Sequence, residues 1–528
     1  MTGTDPLNLD VQRAASPKVG EFRSILFDAE DADTAAAQEP RFFADLNLDQ
    51  VAAAIVAGRD EYDLPPFFYT PLRDEETIQY RHDVFRELER EEVRAAVRAF
   101  GLEMRRMRQH LTLAKKQQYK YEKERWFLDA ATIYCGAVST LAGALIELEP
   151  HSRGFKALRD YLASYMTSER FASMASELRS VLDGLDKVTY AVRIKGARVT
   201  VSGYQDERDY SVEVEETFAR FREGATESHL MKVPDSGTMD HVEARISQLV
   251  ARLHPDAFRA LDEFCAHHND FVDRLIATFD REVQFYLAYL EYTERLVRSG
   301  ATFCYPTVSV RSKDISAEDA FDIALAAKLA AEQVTAVRND LSLTGPERIL
   351  VVTGPNQGGK TTFARMFGQL HYLGSLGVPV PGRAARLFLP DGVFTHFEKE
   401  EDIATLRGKL DDELVRMRDI LGEATGDSVV VINEILASTT LADAIYLGQE
   451  LLGQIVELGC LAICVTFVDE LSSLGEATVS MVATVAADDP SQRTFKIVRK
   501  PADGRAYAWA IADKYGLSHE KLKERLAR

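Results

Sequence analysis

Apolar positions recur along this chain at two periods, and each change of period marks a change of predicted element. From 41 to 62 they fall three and four residues apart, a helical spacing. A Pro-rich break follows at Asp63-Leu64-Pro65-Pro66-Phe67-Phe68-Tyr69-Thr70-Pro71. Asp74 then stands where a carboxylate can accept the free N–H groups that open a helix, and Glu75 and Glu76 suit the positive end of its dipole. The helical pattern runs on to about Thr189 with few breakers. Between 190 and 214 the period drops to two. Tyr190, Val192, Ile194, Val199, Val201, Val212 and Val214 alternate with polar residues, punctuated by Gly196 and Gly203, which predicts a small β insertion near 190–235. Residues 240–298 return to helix with a break at Pro255. Beyond it Phe258, Leu261, Cys265, His268, Val272, Leu275, Phe279, Glu282, Tyr286 and Tyr289 keep a heptad-like spacing, so one long helix is expected to pack along another. His268 and Glu282 interrupt that seam and are read as setting its register rather than as catalytic groups. An Ala-rich helix is predicted over 317–337.

The final third has a different texture. Arg348-Ile349-Leu350-Val351-Val352-Thr353, Ser428-Val429-Val430-Val431-Ile432-Asn433-Glu434 and Gly459-Cys460-Leu461-Ala462-Ile463-Cys464-Val465 are short, largely apolar runs of the kind a buried strand shows. Helical patterns separate them. The expected fold is therefore a mostly helical region with a small β insertion, followed by an α/β domain. The boundaries read as an N-terminal arm over 1–40, a helical domain over 41–300, a connector over 301–345 and the α/β domain over 346–528.

With 528 residues, the length fits two to four domains at roughly 100–200 residues each. The net charge of −20 makes diffuse attraction to nucleic acid unfavourable, so any such contact must come from a local basic surface. The richest basic stretch is 103–125, with Arg105, Arg106, Arg108, Lys115, Lys116, Lys120, Lys123 and Arg125, read first as a solvated helix face and alternatively as a phosphate-contacting surface or a partner site. Five scattered cysteines argue against a disulfide framework. Cys460 and Cys464 belong to a strand pattern rather than to a metal site. No signal peptide and no uninterrupted apolar run of membrane-spanning length is apparent, so a cytoplasmic protein is expected, with no membrane partner.

The chemistry concentrates after residue 353. Gly354-Pro355-Asn356-Gln357-Gly358-Gly359-Lys360-Thr361-Thr362 matches the phosphate-loop pattern G-x-x-x-x-G-K-[ST] in full. Glycines let backbone N–H groups close around phosphates, and the helix that follows points its positive end at the anion. Lys360 supplies charge to the β and γ phosphates, and the Thr361 hydroxyl is a Mg²⁺ ligand. ATP and Mg²⁺ are the expected ligands. The run ending in Asn433-Glu434 is a second acidic strand. Glu434 is the candidate catalytic residue, placed to orient or deprotonate the attacking water. Asn433 stands at the metal-water position, where it accepts a hydrogen bond but supplies no negative charge.

These residues resemble the MutS family of DNA mismatch-repair ATPases. The phosphate loop is similar to that family's G-P-N-M-G-G-K-S-T, and a Pro-Asn pair within such a loop is unusual. Asn339-Asp340-Leu341-Ser342-Leu343 looks like the family's approach strand, Glu401-Asp402-Ile403 resembles its D-D-[LI] segment, and Asp443 falls where the family has Asp. Residues 495–499, Tyr507 and Lys514-Tyr515-Gly516-Leu517 resemble its final strand and closing helices. Pro71-Leu72-Arg73-Asp74, Arg81 and Val84 are similar to its P-[LV]-x-D…R core pattern. The resemblance implies core and lever domains ahead of a P-loop ATPase domain of the MutS type, a homodimer, and DNA as partner. There are departures. Gly408 occupies the place of the signature Ser, Leu436-Ala437-Ser438-Thr439-Thr440-Leu441 replaces G-R-G-T-S-T, and Thr466-Phe467-Val468 replaces T-H-Y. No Phe-x-Glu mismatch reader is seen. The implied protein is a short MutS-like member without the mismatch-recognition domain: a DNA-associated ATPase for repair or recombination, working as a nucleotide-driven dimer clamp. A nucleotide-gated protein scaffold with little or no hydrolysis is the alternative, and an unrelated P-loop phosphoryl transferase is a third reading.

Overall fold

In the computed structural model, the described residues are 22–27, 38–196, 198–205, 239, 241–398, 408–436, 438–486, 492–502 and 523. They divide into two compact units. The first comprises Met1–Phe22, Glu89–His151 and Phe155–Asp280, and the second Arg23–Leu88, Ser152–Gly154 and Arg281–Arg528.

The first unit is built of helices. Glu91–Lys116 and Lys120–Leu148 lie side by side across a three-residue connection. Val93, Val97, Phe100, Met104 and Met107 are buried at the three- and four-residue steps that put side chains on one helical face. Facing them, Leu128, Ala131, Tyr134, Val138, Leu141 and Leu145 form the matching stripe of the second helix. By length and composition this second helix could cross a membrane. Its apolar stripe is the one that fills the unit's core. Ser168 caps the helix Glu169–Leu185 by accepting from the Phe171 N–H at 3.3 Å. The period-two segment forms an antiparallel hairpin, Tyr190–Lys195 against Arg198–Gly203. The remainder of the expected insertion, 206–238, lies outside the described residues.

The single long helix expected beyond Pro255 is corrected to two, Pro255–His267 and Arg274–Arg298. At the break, Phe271 turns inward against Phe127 and Tyr134, with ring centroids 5.3 and 5.4 Å apart. Asp273 then restarts the helix by accepting from Leu275 N at 2.9 Å and Ile276 N at 3.1 Å, while its own N–H donates to the Tyr134 hydroxyl at 3.0 Å. The apolar spacing runs through the break at Val272, which is only partly buried, whereas the side chain that enters the core there is its neighbour Phe271. His268 bonds Glu177 at 2.9 Å, and buried Glu282 accepts from Ser24 Oγ at 2.8 Å and Ile25 N at 2.9 Å.

The second unit contains an α/β domain with a mixed six-stranded sheet. Its strands are β1 (Ile349–Thr353), β2 (Val393–Phe397), β3 (Val429–Asn433), β4 (Leu461–Val465), β5 (Thr478–Val485) and β6 (Arg493–Arg499). The spatial order is β2-β3-β4-β1-β5-β6, with every pair parallel except β5 and β6. Three helices connect them: α1 (Lys360–Ser375), α2 (Lys409–Glu423) and α3 (Leu441–Leu458). All residues of β1, β3 and β4 are buried, as the uninterrupted apolar runs predict. The Ala-rich helix expected over 317–337 is shorter. Ile315–Ala320 is a strand in a separate four-stranded sheet, and helix covers only Ile323–Ala331. Asp322 sets that boundary by accepting from Ala324 N and Leu325 N.

Helix α1 is buried almost all round, and the segment 42–81 holds its outer side. Arg365 donates to Asp45 O at 2.9 Å, Gln369 to Leu46 O at 2.8 Å, Tyr372 to Phe68 O at 2.8 Å, and fully buried Arg81 to Leu376 O at 2.7 Å. Gly368 lets Leu46 pack close, since a Cβ there would meet the end of the Leu46 side chain at 2.8 Å and displace it. The helix that follows the glycine loop is thus fixed from both sides.

Candidate functional site

Strand β1 ends at Thr353, and the chain turns through residues 354–359 into α1. The turn needs glycine at three points. Gly354 has φ of +114°, and a Cβ there would meet Ala483 O at 3.0 Å. At Gly358 a Cβ would meet Pro355 O at 2.8 Å. Gly359 precedes the helix at φ +90° and makes no side-chain cap. The first N–H groups of α1 have no intrahelical acceptors and face the loop.

Lys360 opens the helix and curls back over that loop. Its Nζ donates to Gly354 O at 2.8 Å, and to Pro355 O and Asn356 Oδ1 at 3.3 Å. The ammonium also stands 4.9 Å from the centre of the Phe467 ring, a cation–π distance. Burial pushes the Lys360 pKa below its ordinary value. The Glu434 carboxylate opposes that shift and Arg493 adds to it. Arg493, on β6, also donates from Nε to Asn356 O at 3.1 Å, so a second cation braces the loop.

The second acidic strand arrives beside β4. The Glu434 N–H donates to Val465 O at 3.0 Å, and its backbone sits in the left-handed region at φ +58°. Such a conformation is strained for a residue with a Cβ, and strain of this kind gathers at functional sites. Asn433 is buried, 7% exposed, and among the described residues its Oδ1 meets no hydrogen-bond donor. A buried acceptor without a donor is costly, which fits an oxygen reserved for a ligand or its water shell.

A cavity of about 520 Å³ brings Gln357, Gly359, Lys360, Thr361, Thr362 and Glu434 together. Gly354, Pro355, Asn356 and Gly358 belong to the turn and do not line it, nor does Asn433 at the end of β3. Five apolar side chains also line it, Leu325, Leu329, Val334, Val337 and Phe495, beside Thr335 and Asn339. None of these five was legible as a site residue. In the structure Phe495 stands out as a large side chain 48% exposed with φ of +58°. Asn339 holds it there by donating from Nδ2 to Phe495 O at 3.2 Å and accepting from Ile497 N at 2.8 Å. Chemically, the arrangement offers an anion-binding end with one ammonium and helix N–H groups, and an apolar end suited to a flat ring. Segment 401–403, residue 437 and the closing stretch with Tyr507 and 514–517 lie outside the described residues.

Residues 350–524 match the family model described as MutS domain V. The DNA mismatch repair protein MutS of Shouchella clausii is 31% identical over 186 residues, 34% of this chain and 21% of that protein. The endonuclease MutS2 of Thermus thermophilus is 31% identical over 190 residues, 36% of this chain and 25% of its own length. The DNA mismatch repair protein MutS 1 of Haloarcula marismortui is 32% identical over 197 residues, 35% and 21% respectively. The chain thus spans between a fifth and a quarter of the length of these relatives.

Proposed function

From the match of residues 350–524 to MutS domain V, we propose a member of the MutS family that is an ATP-binding, DNA-associated ATPase. The observation that carries this reading is the convergence of Lys360, Thr361 and Glu434 on one cavity that apolar side chains also line. The N–H groups at the start of α1 and the Lys360 ammonium hold the β and γ phosphates. The base lies against the apolar side chains of Leu329, Val337 and Phe495. Glu434 accepts the proton of, or orients, the attacking water.

The site also fits magnesium. The Thr361 hydroxyl and the unpartnered Asn433 Oδ1 are the oxygens that would hold it and its water shell, and a bound Mg²⁺ would neutralise phosphate charge. Asn433 brings no charge of its own, so the expected magnesium affinity is weaker than with Asp. Two copies of the chain then close on each other when nucleotide binds, as a clamp on DNA in repair or recombination. The helical residues 41–300 serve as core and lever, 346–528 as the ATPase domain, and the cytoplasm as the compartment. The relatives' names, DNA mismatch repair protein and endonuclease, support DNA as the partner.

A second reading is a nucleotide-gated protein scaffold with little hydrolysis. Asn433 and the Phe467 ring over Lys360 favour it, as does the net charge of −20. Steady-state ATP hydrolysis, with and without duplex, branched and mismatched DNA at two salt concentrations, separates the two. The ATPase reading requires turnover that Glu434→Ala abolishes and that DNA alters, with binding that weakens steeply as salt rises. Turnover absent in the intact protein, with nucleotide still bound, would establish the scaffold instead. Unchanged ATP affinity in Lys360→Ala would refute the site itself.

A further inference from the structure

Helix α2 carries a carboxylate that the reading above does not use. Glu413 is 6% exposed, and its Oε2 accepts a hydrogen bond from the Leu436 backbone N–H at 3.0 Å. Leu436 lies two residues beyond Glu434. Both have left-handed backbones, Glu434 at φ +58° and Leu436 at +62°. Two such residues in a stretch of three, neither of them glycine, persist only when their surroundings over-determine them. Three attachments are visible. Glu434 N–H bonds Val465 O on β4, and Ile435 and Leu436 are buried in the apolar cluster that includes Met417 of α2. The third is the Glu413 carboxylate, the one side-chain attachment on this turn among the described residues.

We infer that Glu413 is a positioning residue: through the Leu436 N–H it holds the turn that aims Glu434 at the nucleotide cavity. The inference rests on the hydrolytic reading of the site. Glu413 does not line the cavity, so it acts on the reaction only through the turn. Burial raises the Glu413 pKa, and the Leu436 N–H is the largest influence opposing that shift. The carboxylate is therefore held in an unfavourable place by the bond it makes. A link from α2 to the Glu434 turn also means that displacement of α2 would reach the water-orienting carboxylate directly.

The test uses the full chain and three variants. Glu413→Gln keeps an acceptor for Leu436 N–H, Glu413→Asp withdraws it by one methylene, and Glu413→Leu removes it. Amide hydrogen exchange of the peptide containing 434–436 is measured without nucleotide, and kcat, KM and the affinity for a fluorescent ATP analogue with magnesium are measured beside it. In Glu413→Leu, exchange at Leu436 should rise about tenfold. Its kcat should fall roughly a hundredfold, the scale set by misplacing a reacting group. Analogue affinity should stay within about threefold, since Lys360 and the loop are untouched. Glu413→Gln should behave as the wild type and Glu413→Asp fall between. If Glu413→Leu does not fold, Glu413→Asp carries the same comparison. Unaltered exchange, unaltered kcat, or a loss equal in Gln and Leu overturns the inference. When wild-type turnover is intact and lost in Glu434→Ala, such a result counts against Glu413 alone. Absence of turnover in the wild type removes the hydrolytic reading and this role together.

Discussion

Replacing Lys360 with Met keeps the length and apolar bulk of the side chain and removes its ammonium. In the folded protein that ammonium has one acceptor at 2.8 Å and two at 3.3 Å, in a residue 3% exposed. These neutral partners do not restore the lost hydration, because burial holds the pKa below its ordinary value. A lysine whose folded pKa lies below its unfolded one lowers stability throughout the range beneath both values, and the penalty disappears only as pH rises above the unfolded pKa. Near neutral pH the charge therefore works against folding, and Lys360→Met should be as stable as the wild type or more so. Nucleotide affinity should move the other way. A hydrogen bond to a charged group contributes about 1.5–3 kcal/mol net, and Lys360 exchanges neutral partners for anionic ones. Taking about 3 kcal/mol for the exchange, the Kd for ATP should rise roughly a hundredfold. Calorimetric titration with a slowly hydrolysed ATP analogue and magnesium measures the affinity, and urea unfolding measures the stability. A Kd changed by less than about threefold would refute the phosphate-binding role. A stability loss of about 2 kcal/mol or more would refute the desolvation argument.

Asn433→Asp should lower the magnesium concentration giving half-maximal nucleotide binding, while destabilising the metal-free protein, because it buries an uncompensated charge at a residue 7% exposed; a magnesium titration with unchanged midpoint would count against Asn433 as the metal-water position. Gly358→Ala forces a Cβ to within 2.8 Å of Pro355 O and should cost about 1–3 kcal/mol together with most nucleotide affinity; thermal melting and the same calorimetry decide it. His82 and His371 are both buried, with pKa values pushed down to about 4 by burial. The unfolded chain takes up those protons first, so stability is full above the ordinary value of 6.5 and falls as pH drops from there towards 4. Each residue should account for about 3 kcal/mol over that window; urea unfolding at pH 7.5 and 4.5 should show the loss, and His371→Leu should remove part of it.

Much of the fold is written in short stretches. Asp74 caps its helix as expected, with Thr77 N donating to Oδ1 at 2.6 Å, and the hairpin at 190–203 follows its alternation of side chains. Strands β1, β3 and β4 coincide with their apolar runs. The turn from 354 to 359 leads from strand into helix in the order its glycines demand. In each case the pattern that marks the element is read over a few adjacent positions, even where the strands it pairs with, or the Ala483 carbonyl behind Gly354, lie far along the chain.

Other features depended on partners far away along the chain. The break before Arg274 arises because Phe271 finds Phe127 and Tyr134, and Ile315–Ala320 becomes a strand because 339–343 and 384–388 pair with it. The apolar lining of the cavity joins residues near 325–337 to Phe495, held by an Asn339 whose amide partners lie more than 150 positions away. Nothing in the neighbourhood of Leu436 announces that Glu413 will receive its N–H. Sequence alone therefore determined the glycine turn, the lysine that follows it and the elements on either side, since backbone geometry and periodicity are local properties. Only the tertiary structure decided what stands opposite that turn, because burial of apolar surface is satisfied by any partner of the right shape and the chain does not name which one.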